Sequence, residues 1–176
     1  MTTPNTSAVY TVWRTLQRIL TAASWPSAPE NSKGVVVYFG DPDLAPNNLA
    51  ATTERVVVAS GIALADESWA TQGRYARNEN FTAYVYVVTA IPGRTAEQAR
   101  DRLEELTATL EQTVRAINAG RPSGNTPAEF EPYPVWFIEV DPVLPLVAIG
   151  NQGAIGKAEV ALRCSFRIGT PPVEQE

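Results

Sequence analysis

"FTAYVYVVTAIPGRTAEQARDRLEEL", residues 81–106, decides the fold because its periodicity changes half-way along. Phe81, Ala83, Val85 and Val87 share one side of an extended chain, and Thr82, Tyr84, Tyr86 and Val88 share the other. Pro92 and Gly93 end this strand. Thr95 and Gln98 then stand at capping-box spacing, where each side chain accepts a hydrogen bond from the other's backbone N–H. Ala96, Ala99, Leu103, Leu106, Leu110, Val114 and Ile117 follow by threes and fours, which predicts a long helix with one apolar stripe. Glu97 near its start and Arg115 near its end suit the helix dipole, and Gly120 and Pro122 are expected to stop it. The strand side bearing Tyr84 and Tyr86 is left without an assigned neighbour.

Upstream, Val9, Val12, Trp13, Leu16, Ile19 and Leu20 recur at helical spacing, with Ser7 as the expected N-cap and Pro26 and Pro29 beyond. "GVVVYF", residues 34–39, and "ERVVVASGIAL", residues 54–64, predict strands, the second bent at Gly61. Residues 65–80, "ADESWATQGRYARNEN", show no sustained period and are expected to form a long connection anchored by Trp69. Downstream, a proline-rich connection spans residues 121–134, and "VWFIEVDPVLPLV" contains a strand that Pro142 ends. "GNQGAIG" reads as a turn between strands. The last strand alternates Val160, Leu162, Cys164, Phe166 and Ile168 inward with Glu159, Arg163, Ser165 and Arg167 outward. The expected fold is one α+β domain over residues 1–176, frayed at 1–6 and 169–176. It is a two-layer sandwich: a mostly antiparallel sheet of four to five strands, with both helices packed on one face.

A chain of 176 residues can bury about 70% of its unfolded surface, so its core needs no disulfide or metal. The net charge of −5 disfavours general nucleic-acid binding, and no apolar run approaches the length of a membrane span. No secretory signal is visible at the start, which points to folding in a reducing cytoplasm. The sequence contains no histidine, which removes the usual general base and the commonest transition-metal ligand. Cys164 stands alone inside an apolar alternation and reads as a small buried hydrophobe. Asp41 and Asp43 lack the later ligands of a calcium loop, and Gly150, Gly153 and Gly156 lack the lysine and helix of a phosphate loop. Ser60 has no nucleophile-elbow pattern; a hydrolase would need the acidic pairs Asp66–Glu67 or Glu104–Glu105 to converge in space, and the latter, on the polar side of a helix, reads as solvated. No catalytic, cofactor or metal residue is therefore assigned.

The unassigned sheet face offers more. If the third and last strands are neighbours, Tyr84, Tyr86 and Val88 stand beside Arg163 and Arg167, and aromatics and arginines are enriched where protein surfaces meet. An ordinary solvent-facing sheet with cross-strand pairs is the alternative. Residues 68–116, with a Trp69 anchor, a turn carrying Gly73, Arg74 and Arg77, a strand led by Glu79 and a capped helix, resemble the tail terminator proteins of long-tailed bacteriophages. The resemblance implies a small subunit that forms a ring, typically of six, at the end of the tail tube. Such a ring stops tube polymerisation and offers a surface for joining the head. It further implies a tail tube protein and a head-completion or connector protein as partners, and assembly in the host cytoplasm into the virion. Trp69, Arg74 and Arg77 join the tyrosine face as candidate contact residues, with the loop around Asp41 beside them. The rival readings are a head-completion or tail tube subunit, and a small-ligand-binding or hydrolytic α+β enzyme.

Overall fold

The computed structural model describes residues 8–30, 32–42, 54–69, 76–90, 92–119, 135–141, 143–150 and 153–169. Helices α1 (Val9–Ala22) and α2 (Ala96–Ala119) accompany strands β1 (Val35–Gly40), β2 (Glu54–Trp69), β3 (Ala76–Thr89), β4 (Val135–Val140), β5 (Leu144–Gly150) and β6 (Gly153–Gly169). The strands form one sheet in the order β1-β2-β3-β6-β4, with β5 also against β6. Among the described strands only β1 and β2 run parallel; every other pairing is antiparallel. The fold is α+β, with one strand more than the sequence pattern predicts.

Alternation and helical stripes meet as expected. Phe81, Ala83, Val85 and Val87 pack with Val160, Leu162, Cys164 and Phe166 beneath the Leu103, Leu106, Leu110 and Val114 stripe of α2. Val12, Leu16 and Leu20 of α1 join the same core beside Val56 and Val58, so both helices cover one face. The capping box forms: Thr95 N–H donates to Gln98 Oε1 at 3.0 Å, and Gln98 N–H donates to Thr95 Oγ1 at 3.2 Å. The β2–β3 register shifts between Val58 and Ile62, consistent with the expected bend near Gly61. The β5–β6 register closes on Gly150 opposite Gly153, the strand–turn–strand expected there. At Gly153, φ is +132°, and an added Cβ would lie 2.8 Å from the Gly93 backbone nitrogen, so this end of the hairpin accepts only glycine.

Two expectations need correction. Residues 65–69 and 76–80 are not structureless: Asp66 to Trp69 pair with Asn80 to Arg77, extending β2 and β3 as an antiparallel arm, while residues 70–75 of the expected connection lie outside the described residues. Asp, Asn and Ser carry poor strand propensity, but β3 is also held along β6 through Arg77↔Ile168 and Asn78↔Arg167, and the ladder prevails. The sixth strand, β5, contains Pro145; it pairs only with β6, and an edge strand tolerates the missing N–H. Ser7 lies outside the described residues, and the cap position is Ala8, which makes no side-chain cap bond. The Ala8 N–H instead donates to buried Glu79 Oε2 of β3 at 2.8 Å, a carboxylate set against the positive end of α1. α2 ends at Ala119, directly before the Gly120 expected to stop it, and Arg115, about one turn before that end, pairs with Glu111 at 3.0 Å. Of the expected frayed residues 1–6 and 169–176, Gly169 instead ends β6 opposite Ala76; the others, and the connection at 121–134, lie outside the described residues.

One polar cluster crosses the core. Glu54, fully buried at the start of β2, accepts two bonds from Arg102 of α2, from Nε to Oε1 at 2.9 Å and from Nη2 to Oε2 at 2.7 Å. Thr89 Oγ1 donates to the same carboxylate at 3.2 Å, while Arg102 also bonds Glu105 and the Pro26 carbonyl. The hydrogen bonds that Arg102 donates to Glu54, helped by Glu105, outweigh burial and raise the Arg102 pKa above its ordinary value. Three elements are tied at one point: β2, β3 and α2. Removing one partner of a buried pair strands the other charge, at a cost of about 3–5 kcal/mol. We therefore expect Glu54→Gln and Arg102→Met each to lower urea-unfolding stability by about that amount. The double variant Glu54→Gln/Arg102→Met should lose clearly less than the two singles summed, and additive losses would show that the pair is not coupled.

Candidate functional site

Register fixes what stands beside the tyrosines. On the sheet face opposite the helices, Val36, Arg55, Val88, Lys157 and Leu146 form one cross-strand row, and Tyr38, Val57, Tyr86 and Glu159 the next. Further along, Tyr84 lies opposite Ala161, and Thr82, Arg163 and Glu139 form another row. Apolar and charged side chains thus alternate across the sheet. Val57 and Val88 are buried, Tyr84 and Tyr86 are half-buried, and Leu146 and Ile155 are exposed.

The cation beside Tyr86 is a lysine: Lys157 Nζ sits 5.0 Å from the ring centroid, close enough for attraction to the ring face. Arg163 is one row from Tyr84, and its Nε donates to Asp141 Oδ2 at 2.8 Å. Arg167 is not beside the tyrosines. Its backbone pairs with Asn78, about 20 Å along the strand from Tyr84 at strand rise. The backbones of Trp69 and Arg77 pair with each other at the end of the β2–β3 arm, and Arg74 lies outside the described residues. The structure therefore brings Tyr84, Tyr86 and Arg163 together and leaves Trp69, Arg77 and Arg167 at a distal position. Asp41, at the end of β1, is exposed, and Asp43 lies outside the described residues.

Sequence reasoning placed Glu159 outward but missed Lys157, Leu146 and Ile155 on this face. Their signal was present: Lys157 and Glu159 continue the period of Arg163 and Ser165, and Leu146 and Ala148 alternate with Pro145, Val147 and Ile149. The two prolines around "VLPLV" hid the second pattern.

Elsewhere, a groove of about 690 Å³ opens at the start of α2, lined by Pro26, Arg94, Gln98, Asp101, Arg102 and Glu105. Arg102 there is already bound to Glu54 and Glu105. Among the described residues, no three metal-ligating side chains converge. No helix among them is long and apolar enough to cross a membrane. No protein-family model matches this chain, and a search of curated proteins finds none similar to it.

Burial pushes the Cys164 thiol up to about 12, against a smaller opposing effect from a backbone hydrogen bond with Ala83. At pH 8 its thiolate fraction is about one in ten thousand, against about one in four for a free cysteine. An aromatic disulfide reagent should consequently leave Cys164 unmodified in native buffer and react rapidly once urea unfolds the chain. Comparable rates in the two conditions would contradict a sealed core at this position.

Proposed function

We propose that this chain is a structural subunit that docks to copies of itself and forms a ring at the head-proximal end of a long-tailed bacteriophage tail. There it ends growth of the tail tube and presents a joining surface for a head-completion or connector protein. The observation that carries this reading is the sheet face of Tyr84, Tyr86, Lys157 and Arg163, which both helices leave uncovered. Half-buried aromatics interleaved with charges suit a surface that must stay soluble before assembly and be covered after it. The resemblance within residues 68–116 supplies the virion context and a ring of six. The subunit makes and breaks no covalent bond in this role. Its partners are further copies, the tube protein and the connector; neither a membrane nor a specific nucleic acid takes part. It assembles in the host cytoplasm and ends in the virion.

Electron microscopy and light scattering of the purified protein test the reading, with limited rings expected. Added to polymerising tube protein of the same virus, the rings should shorten the tubes in proportion to their concentration. Long tubes formed by this chain alone would mark it as a tube subunit. Tyr84→Ala and Tyr86→Ala should leave thermal unfolding nearly unchanged and weaken association by about 1–3 kcal/mol, roughly five- to 150-fold in dissociation constant. Unaltered association in both variants would remove this face from the contact.

A further inference from the structure

Glu159 and Arg163 stand on the outward side of β6, two residues to either side of Ala161, which pairs with Tyr84 of β3. At strand rise each lies about 7 Å from the Tyr84 row, and their backbones are about 13 Å apart. Glu159 is exposed and has no ion pair among the described residues. Arg163 is 62% exposed and gives only its Nε to Asp141. Both terminal nitrogens of its guanidinium therefore stay open to a second carboxylate. Half-buried Tyr84 and Tyr86 stand between and beside the two charges, on the face that neither helix covers.

Two such faces fit each other about one axis. Let the axis follow the Tyr84–Ala161 row, across the strands and midway between two stacked sheets. A half turn about it lays β6 antiparallel over β6 of the other copy and exchanges the Glu159 and Arg163 positions. Each Glu159 then faces the other copy's Arg163, once on either side of the axis. Tyr84 meets its own counterpart, and Tyr86 meets Thr82. Asp141, whose N–H bonds the Ala161 carbonyl at the β4 margin of the same row, is already held by Arg163. The charge order along β6 is thus its own complement, as a two-fold contact requires and a face shaped for an unrelated protein does not.

We infer that two copies of this chain pack sheet against sheet across this axis, with the Tyr84 rings at the centre and a Glu159–Arg163 bond on each side. The inference deepens the assembly reading above and rests on it, by naming a second copy as what covers the tyrosine face before a ring forms. Stacked sheets lie about 10 Å apart, a gap that a glutamate and an arginine span together. Sheet twist turns one copy about 30° on the other, which displaces residues two positions from the axis by only a few ångströms. A two-fold contact is closed: once two copies have met, neither offers this face to a third. The pair is a holding form, and copies leave it to join a ring.

Charge reversal read by sedimentation velocity, below the concentrations that give rings, provides the test. The wild type should sediment as a dimer. Glu159→Arg sets cation against cation on both sides of the axis, and Arg163→Glu sets carboxylate against carboxylate. Each variant alone should need at least tenfold more protein than the wild type to dimerise. An equal mixture of the two should recover a mixed dimer, because each side then joins opposite charges. Both positions are exposed, so the native circular-dichroism melt should persist. If Arg163→Glu fails to fold, Tyr84→Lys, which brings two ammonium groups together on the axis, is read in its place. Single variants that dimerise like the wild type, or a mixture no stronger than its components, would overturn the two-fold contact. So would a wild type that passes from monomer to ring with no dimer between. Wild-type rings in any of these cases leave the assembly reading standing. A charge-sensitive dimer that neither forms rings nor shortens tubes would keep the contact and end the ring reading.

Discussion

Everything else in this structure hangs from the ladder between β3 and β6, which runs unbroken from Ala76↔Gly169 to Thr89↔Gly156. A pleated strand has no freedom to choose its two faces separately. Once Phe81, Ala83, Val85 and Val87 are fixed under the helices with Val160, Leu162, Cys164 and Phe166, the placing of Tyr84, Tyr86, Lys157 and Arg163 on the far side follows. The stacked rings of Phe81 and Phe166, 5.6 Å between centroids, fill the space where slippage would otherwise begin. A register slip of one residue would bury Arg163 and expose Leu162.

Two helices cannot clothe both sides of a sheet this wide, and that shortage gives the molecule its character. Glu54 and Arg102 show the same economy: a buried charge pair gathers β2, β3 and α2 where a larger domain would have used more hydrocarbon. Such a pair adds little net stability over a hydrophobic substitute, but it tolerates only one arrangement of its neighbours. Its value here lies in positioning: it sets α2 on the sheet and so decides which strands receive cover.

Much of this was legible in the chain. Capping residues and a stripe at helical spacing are local signals, and α2 begins with the reciprocal bonds that Thr95 and Gln98 announce. Alternation of large apolar residues likewise revealed the inner faces of β3 and β6. Residues 76–80 were hidden because their strand character comes from partners on both sides of β3, and 66–69 because theirs comes from pairing with β3, not from their own propensity. β5 was obscured by its proline, and Arg102 by a position beside the apolar stripe, where a charged residue ordinarily reaches water. For the open face, the pattern correctly separated Tyr84 and Tyr86 from the core. It could not supply the offset between β3 and β6, on which the choice between Lys157 and Arg167 as neighbours depends. Offsets between strands are set by contacts far apart in sequence, and no short window contains them.

The bond from the Ala8 amide to Glu79 spans a separation of 71 residues. A ribosome releases the chain from its amino end, so the first helix emerges long before the carboxylate that receives it. Until the third strand has been synthesised and drawn into place, that helix end must rely on water, and its apolar side has no sheet to rest on. Native order at the beginning of the polypeptide is therefore a late event. A nascent chain stalled before residue 79 would expose Trp13, Leu16 and Leu20 together, a surface that chaperones are built to hold.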